Sequence, residues 1–433
     1  MTKAKRLASL LLALTLTGSM VACGQPATDS TPTTTATEPA EETVPLFERE
    51  LTEEEKAVLQ ERRDIVESYM RESLSVLWTS DENLIYSLDS QRDNGLKLYI
   101  IEGRIYQGVP YSYAVGTQDS FLEYAGEPDK DGVYTISGLE ATALNYESYG
   151  GRVGNDCSAV VTNAWSQIGT SFDSSRSCEM SEAHGVIPLG DYNFNPAINE
   201  SNGNITNTSV CTISNGALTM YNAYALLQKG DCLFYVEDSG TNHSRMVVDV
   251  NVVYAGNIID GTKSTVTVLE QTRKFYNKQN SYIHPELNKE VFKIGGVDEV
   301  YTFAQLFSST YLPVTIKEFH DPSPVDKPWV KDSVETPTKD NLFTGSITSN
   351  WYIDCVTVTI ADEEGNTVQE VTGRARRRYN KNFQMERFVT ENPGACLGSV
   401  DLSKLDAGNY KCTITARLTT GEKFLARTFD FTA

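Results

Sequence analysis

The sequence predicts an α+β fold, with a cysteine-bearing helix packed on an antiparallel sheet, followed by a smaller all-β domain. Three observations predict it. A stretch with helical apolar spacing near the start gives way to short apolar runs of period two. Those runs are separated by Gly, Asn and Asp turn signals, and a Pro-rich break divides an early set from a late one.

Thr52 and Glu55 form a capping-box pattern, and Leu59, Val66, Met70, Leu74 and Leu77 follow at helical spacing, which predicts one amphipathic helix over 52 to 78. From about Leu96 the period changes. LKLYII, GVYTISG, DCLFYV, RMVVDVNVVY and TVTVLEQT read as strands, with helical stretches at 158 to 168 and 219 to 227. Residues 320 to 341 hold four prolines and little periodic apolar content, which marks a linker. Beyond it, FTGSITSN, WYIDCVTVTIADEEGN, NYKCTITARLTTGE and KFLARTFDFTA read as strands of a β-sandwich. In architecture this resembles the immunoglobulin-like domains appended to bacterial surface enzymes.

The first residues carry Lys3, Lys5 and Arg6, then the apolar run LASLLLALTLTG, then MVAC. That is the order of an export signal, and the run is shorter than the ~20 residues of a spanning helix. Ala22 before Cys23 resembles the lipobox of bacterial lipoproteins, with Met20 where Leu is usual. The resemblance implies cleavage before Cys23, lipid on its sulfur, and anchoring at the extracellular face of a bacterial membrane. Residues 25 to 45 are Thr, Pro, Ala and Glu with nothing aromatic to bury, so they are expected to be a disordered tether.

The expected division is therefore 1–22 signal peptide, 23–45 tether, 46–90 N-terminal helical segment, 91–325 catalytic-type α+β domain, 326–342 linker and 343–433 sandwich. Removing residues 1 to 22 takes the net charge from -21 to -24. An acidic body argues against nucleic acid or anionic lipid as main partner, since both are bound through Lys and Arg. Membrane contact is then expected through the lipid on Cys23 only. One basic run, Arg374, Arg376, Arg377, Arg378 and Lys381, is a candidate for an anionic wall polymer, and a solvated hairpin that blocks edge pairing explains it equally.

The segment YGGRVGNDCSAVVTNAWSQIG carries the chemistry. A glycine-containing loop leads into Asp156, Cys157 and Ser158, and Ala159, Val160, Val161, Ala164, Trp165 and Ile168 follow with a buried helical face closed by Gly169. Cys157 therefore sits at a helix N-terminus, where unpaired N–H groups and the dipole favour a thiolate and can also hold an oxyanion. A nucleophile of this kind needs a base. His184, His243, His284 and His320 are the histidines, and His243 alone heads an apolar strand, RMVVDVNVVY. The next apolar strand brings Glu270 or Gln271 to the same level to orient the imidazole. His184 reads as a loop contact, and His284 and His320 as solvated.

Eight cysteines are present without a CxxC pair, and lipidation of Cys23 leaves an odd number. Cys157 is expected free, Cys232 a buried thiol, Cys178 and Cys211 a candidate bridge, and Cys355, Cys396 and Cys412 sources of a C-terminal disulfide.

The order Asp-Cys-Ser on a helix, Gly-Asp-x-Leu-Phe-Tyr in a strand, His at the head of the next strand and a polar residue on the one after resembles NlpC-type cell-wall peptidases, a branch of the papain-like superfamily. The resemblance spans roughly residues 140 to 275. It implies Cys157 as nucleophile, His243 as base, Glu270 as its orienting partner with Gln271 as fallback, and Asp156 and Ser158 beside the substrate. Tyr149, Gly150 and Gly151 resemble the aromatic-Gly-Gly ahead of the family's nucleophile. Ala159 stands where the family has Gly, and Ser244-Arg245 where it has Val-Gly. His243 lies 86 positions after Cys157, and the excess, 185 to 218, is expected to be a surface loop or lid.

The implied function is amide hydrolysis in peptidoglycan stem peptides, with peptidoglycan or its fragments as partner. No metal or organic cofactor is called for. Two other readings stay open: a CHAP-type amidase or other thiol hydrolase on the same scaffold, and a catalytically silent wall-binding lipoprotein.

Overall fold

The structure is a computed structural model that describes residues 50–87, 97–113, 116–139, 144, 153–272, 281–374, 380–386 and 400–433. The chain divides into two units, 1–45 and 46–433. The first, with Cys23 and the segments expected to be a signal peptide and a tether, lies outside the described residues.

The second unit begins where its capping box forms. Glu55 N–H donates to Thr52 Oγ1 at 3.2 Å and Thr52 N–H donates to the Glu55 carboxylate at 2.9 Å. Two first-turn donors are thereby satisfied, and helix Glu53–Ser75 follows. Its Val66, Met70 and Leu74 are buried in the main core. Leu77, expected as the last residue of that stripe, instead opens strand Leu77–Ser80 after Val76 turns extended.

The main core lies on a six-stranded sheet in the order Gly295–Thr302, Thr265–Gln271, Asn242–Asn251, Cys232–Val236, Leu312–Ile316, Val186–Pro188. Every neighbouring pair is antiparallel. Helix Cys157–Trp165 lies against it, and its Val160, Val161, Ala164 and Trp165 share a core with Leu233, Met246 and Val268. This is the α+β arrangement of helix on antiparallel sheet that the sequence predicts.

The segment 185–218 is not a surface lid. It supplies edge strand Val186–Pro188 and opens helix Thr208–Tyr224, and Leu189, Tyr192, Phe194, Ala197, Ile205 and Cys211 are buried in the main core. Its apolar residues are widely spaced among Asn, Ser and Thr, so no periodic signal betrays them. Cys178 and Cys211, expected as a candidate bridge, are not joined by a disulfide, and Cys157, Cys211, Cys232, Cys355 and Cys412 are free thiols. Cys396 lies outside the described residues.

A second sheet of strands three or four residues long runs Ser281–Ile283, Glu290–Lys293, Ile105–Gln107, Leu77–Ser80, Val133–Ile136, and two of its pairings are parallel. Trp78 anchors it, stacked on Tyr106 at 4.7 Å with its indole N–H on Gly108 O at 2.7 Å. GVYTISG, read as a strand, supplies Val133–Ile136, but strands this short cannot show a period of two, so the sequence does not announce the other four.

The C-terminal strands form two antiparallel sheets, Val330–Asp332, Ser346–Ser349, Asn382–Gln384 and Thr367–Arg374, Ile353–Ala361, Asn409–Leu418, Lys423–Thr432. They share one apolar core built on Ile347, Phe383, Val356, Val358, Ile360 and Ile414. The segment expected as linker contributes the edge strand Val330–Asp332, because Asp332 is tied to the buried Arg427 guanidinium at 2.6 Å.

This sandwich is docked on the α+β body rather than strung from it. Trp351 Nε1 donates to Ser166 O at 2.8 Å and Gln167 Nε2 to Thr419 O at 2.8 Å, both at the C-terminal end of the Cys157 helix. Asp354, buried, takes Arg417 Nη2 at 2.7 Å and Arg374 Nη1 at 3.0 Å, and Ser120 and Thr117 of the α+β body reach the same carboxylate. Both arginines overcome the burial that alone would raise Asp354, and hold its carboxyl down. Arg374 is therefore spent inside the protein, and Lys381 donates to Thr170 O at 3.3 Å. Neither end of the expected basic patch is a free surface cation, and residues 375–379 lie outside the described residues.

His320, expected to be solvated, is half-buried with Nε2 3.1 Å from Thr315 Oγ1. Burial, helped by the Arg63 charge and opposed by Asp231, pushes its pKa from 6.5 down to about 4. Two outcomes are expected. Asp354→Ala takes the shared carboxylate from two buried guanidinium groups, leaving Arg417 paired with the partly exposed Glu123, and costs about 3–5 kcal/mol in urea denaturation, in a single transition for both sheets; separate transitions would contradict the docking. Between pH 6.5 and 4 the unfolded chain binds a proton at His320 that the folded chain refuses, so stability falls as pH falls through that window. His320→Asn should flatten that part of the profile, measured as the difference in urea midpoint between parent and variant.

Candidate active site

Asp156 starts the helix that presents Cys157. Its backbone is extended, its Oδ1 accepts from Ala159 N–H at 2.7 Å, and the Ser158 hydroxyl donates to the same oxygen at 2.9 Å. Ser158 Oγ also reaches Ser175 O at 3.2 Å. What the structure shows for both residues expected beside the substrate is thus helix capping and the anchoring of a neighbouring loop.

The approach to the helix is fixed by Gly154. At φ +86°, a Cβ there would meet Pro110 O at 2.3 Å, so only glycine lets 153–155 lie against 110–112. Asn155 N–H donates to Pro110 O at 3.0 Å and Ser112 N–H to Asn155 O at 2.9 Å. Tyr111 is thereby set beside Asn155, two residues ahead of the cysteine. Tyr149, Gly150 and Gly151 lie outside the described residues. Gly169, expected as a helix cap, stands four residues past the helix end, where the Glu318 carboxylate packs too closely for a side chain.

His243 is the second residue of strand Asn242–Asn251, in register with Tyr235. Its Nε2 lies 2.6 Å from Glu270 Oε2, and the Cys157 sulfur is close enough to the same imidazole to raise its pKa. With Nε2 taken by Glu270, Nδ1 is the nitrogen left for the sulfur. Cys157 is 3% exposed and Glu270 5%. The tripartite row of sulfur, imidazole and carboxylate is the arrangement in which a base is oriented by a third group.

The choice between Glu270 and Gln271 follows from strand geometry. Neighbouring residues in a strand face opposite sides, and a bulge between Thr267 and Val268 in the pairing with the histidine strand sets which side each takes. Glu270 reaches His243. Gln271 turns away, donating Nε2 to Val109 O at 2.5 Å.

Electrostatics reinforce the row. Burial would depress the His243 pKa, but the Cys157 charge and hydrogen bond, with those of Glu270, push it up to about 9. Burial would likewise raise Glu270, yet the His243 and Arg245 bonds and charges hold its carboxyl well below the usual range. Arg245 Nε donates to Glu270 Oε2 at 2.7 Å and Tyr301 hydroxyl to Oε1 at 2.9 Å.

Arg245 and Tyr301 are the residues that sequence reasoning missed. Arg245 stands where the resembled family has a glycine. The signal was present: Arg245 is two positions past His243 in a strand, hence on the same face. The remaining histidines are elsewhere. His184 is held between Asp173 at 2.7 Å and Asn204 at 2.9 Å, and His284 Nδ1 accepts from Glu286 and Leu287 N–H groups in a turn. Cys232 is fully buried, and burial pushes its thiol pKa well up.

No protein-family model matches the chain and no curated protein matches it. Among solved structures, a tetra-tandem repeat in the extending region of a large adhesion protein is similar at 17% identity, covering 47% of this chain and 40% of that one, with a TM-score of 0.17. A likeness that low carries no argument about fold or function.

The two candidate orienting residues separate experimentally. Glu270→Gln should slow alkylation of Cys157 at pH 8 by about ten-fold, because the imidazolium loses its carboxylate. Gln271→Ala should leave that rate within two-fold while costing about 1–3 kcal/mol of stability for the lost buried hydrogen bond. Labelling rates read on the Cys157 peptide by mass decide it, and equal losses in both variants would contradict the assignment.

Proposed function

We propose that the chain is a thiol hydrolase that cleaves amide bonds with Cys157 as nucleophile, His243 as base and Glu270 as its orienting partner. The observation that carries this reading is the His243 imidazole bonded to the buried Glu270 carboxylate at 2.6 Å, with the Cys157 sulfur at the helix N-terminus close enough to raise the imidazole's pKa. His243 takes the sulfur proton and the thiolate attacks the amide carbonyl. The oxyanion lies at the head of the Cys157 helix, where first-turn N–H groups lack intrahelical partners. The imidazolium then gives its proton to the leaving amine, and water releases the acyl group from sulfur with His243 again as base.

The finer reading of the fold is an NlpC-type, papain-like domain, supported by the order of cysteine helix, histidine strand and carboxylate strand, followed by an immunoglobulin-like sandwich. With that resemblance goes the substrate: an amide in the peptide stem of peptidoglycan. In this reading the chain is exported, cut before Cys23 and held by lipid at the outer face of a bacterial membrane.

The test is digestion of purified peptidoglycan by the full chain beside Cys157→Ala and His243→Ala, with muropeptides identified by mass. A new free amine within the stem is expected from the parent, with each variant slower by about 10³-fold or more. A free amine on the alanine joined to the glycan would instead indicate an amidase, and identical products from all three would end the enzyme reading. The pH dependence carries a second expectation. The leaving amine needs the His243 proton, so kcat/KM should fall on the alkaline side with a midpoint near 9. A fall centred at the ordinary histidine value would contradict the pairing.

A further inference from the structure

Glu270 serves more than the histidine. Its Oε2 is shared between His243 Nε2 at 2.6 Å and Arg245 Nε at 2.7 Å, and its Oε1 takes the Tyr301 hydroxyl at 2.9 Å. Strand alternation puts His243 and Arg245 on one face and sends Ser244 to the other, where it meets Ser177 at 2.8 Å. The Arg245 guanidinium lies 3.8 Å from the Tyr301 ring centroid and 4.4 Å from that of Tyr311. A guanidinium held over two rings and bonded to a buried carboxylate has one orientation available.

We propose that Arg245 is a positioning residue of this site: it fixes Glu270 as the acceptor for His243 and opposes the carboxylate's charge at the imidazole. The inference rests on the reading of Cys157 and His243 as nucleophile and base, and adds to it what tunes the base. A carboxylate alone at 2.6 Å would favour the imidazolium so strongly that the proton is withheld from a leaving amine. A permanent cation bonded to the same oxygen offsets part of that field.

The titratable and charged groups around the imidazole are Cys157 from the helix, Glu270 and Tyr301 from the two strands beyond, Tyr235 from the strand on the other side, Tyr311 ahead of strand Leu312–Ile316, and Arg245 on the histidine's own strand. Burial pushes Tyr301 and Tyr311 upward, so both stay neutral. Arg245 is the one permanent cation of the set.

The experiment is alkylation of Cys157 in the full chain by iodoacetate from pH 5 to 11, read on the Cys157 peptide by mass. The anionic reagent is drawn by the imidazolium, so the rate falls as His243 loses its proton. The parent is expected to show that fall near 9. Arg245→Met should move it up by about one pH unit, Glu270→Gln should move it down, and Arg245→Lys should restore the parent position. Tyr301→Phe keeps the ring but removes a donor to Glu270, and should move the fall upward by less; this variant carries the test if Arg245→Met does not fold. A fall unmoved or lowered in Arg245→Met, or in Tyr301→Phe where that variant stands in, would overturn the role of Arg245. If the fall is missing in the parent, or persists in His243→Gln, the nucleophile–base reading fails and takes this inference with it.

Discussion

A carboxylate buried on a strand flanked on both sides needs hydrogen bonds to offset its lost hydration, and Glu270 sets the terms for what surrounds it. Its side chain is 7% exposed and accepts from His243, Arg245 and Tyr301. Removing any one partner of such a set leaves desolvated charge behind, so the members stand or fall together. Three adjacent strands are needed to supply them: Asn242–Asn251, Thr265–Gln271 and Gly295–Thr302. The bulge at Val248 in the histidine strand sets the register in which Glu270, rather than its neighbour, shares a face with the histidine. The imidazole is thus aimed by the sheet.

The cysteine helix meets this row at its N-terminal end and the sandwich at its C-terminal end. Asp156 and Gly154 fix the first, and the Trp351 bond to Ser166 O with the Gln167 bond to Thr419 O fixes the second. A nine-residue helix gripped at both ends has little freedom to tilt. The sandwich, with Asp354 clamped by two arginines beside Ser120, therefore bears on the site without contributing a residue to it.

Much of this was legible because the signals were local. The capping box at Thr52, the Asp156–Cys157 helix start, the apolar run headed by His243 and the apolar run leading to Glu270 each declare themselves within ten residues. What stayed hidden depends on distant partners. Residues 185–218 look like a polar loop because their buried side chains are scattered, and only the strand Leu312–Ile316 gives Val186–Pro188 something to pair with. The short mixed sheet around Trp78 joins segments from 77 to 293 in pieces too brief for periodicity. Arg374 reads as a surface cation until Asp354 is placed beside it. Arg245 looked like a departure from a family motif because a motif fixes spacing, whereas its role comes from sharing an oxygen with the histidine across a strand pair.

The central claim is that one imidazole stands between the Cys157 sulfur and the Glu270 carboxylate. Titration of the His243 ring nitrogens by nitrogen-15 NMR tests it without any substrate. The account predicts a midpoint near 9 in the parent that drops by more than one pH unit in Cys157→Ala, because the sulfur is what raises it most. A midpoint that does not respond to loss of the sulfur would contradict the account.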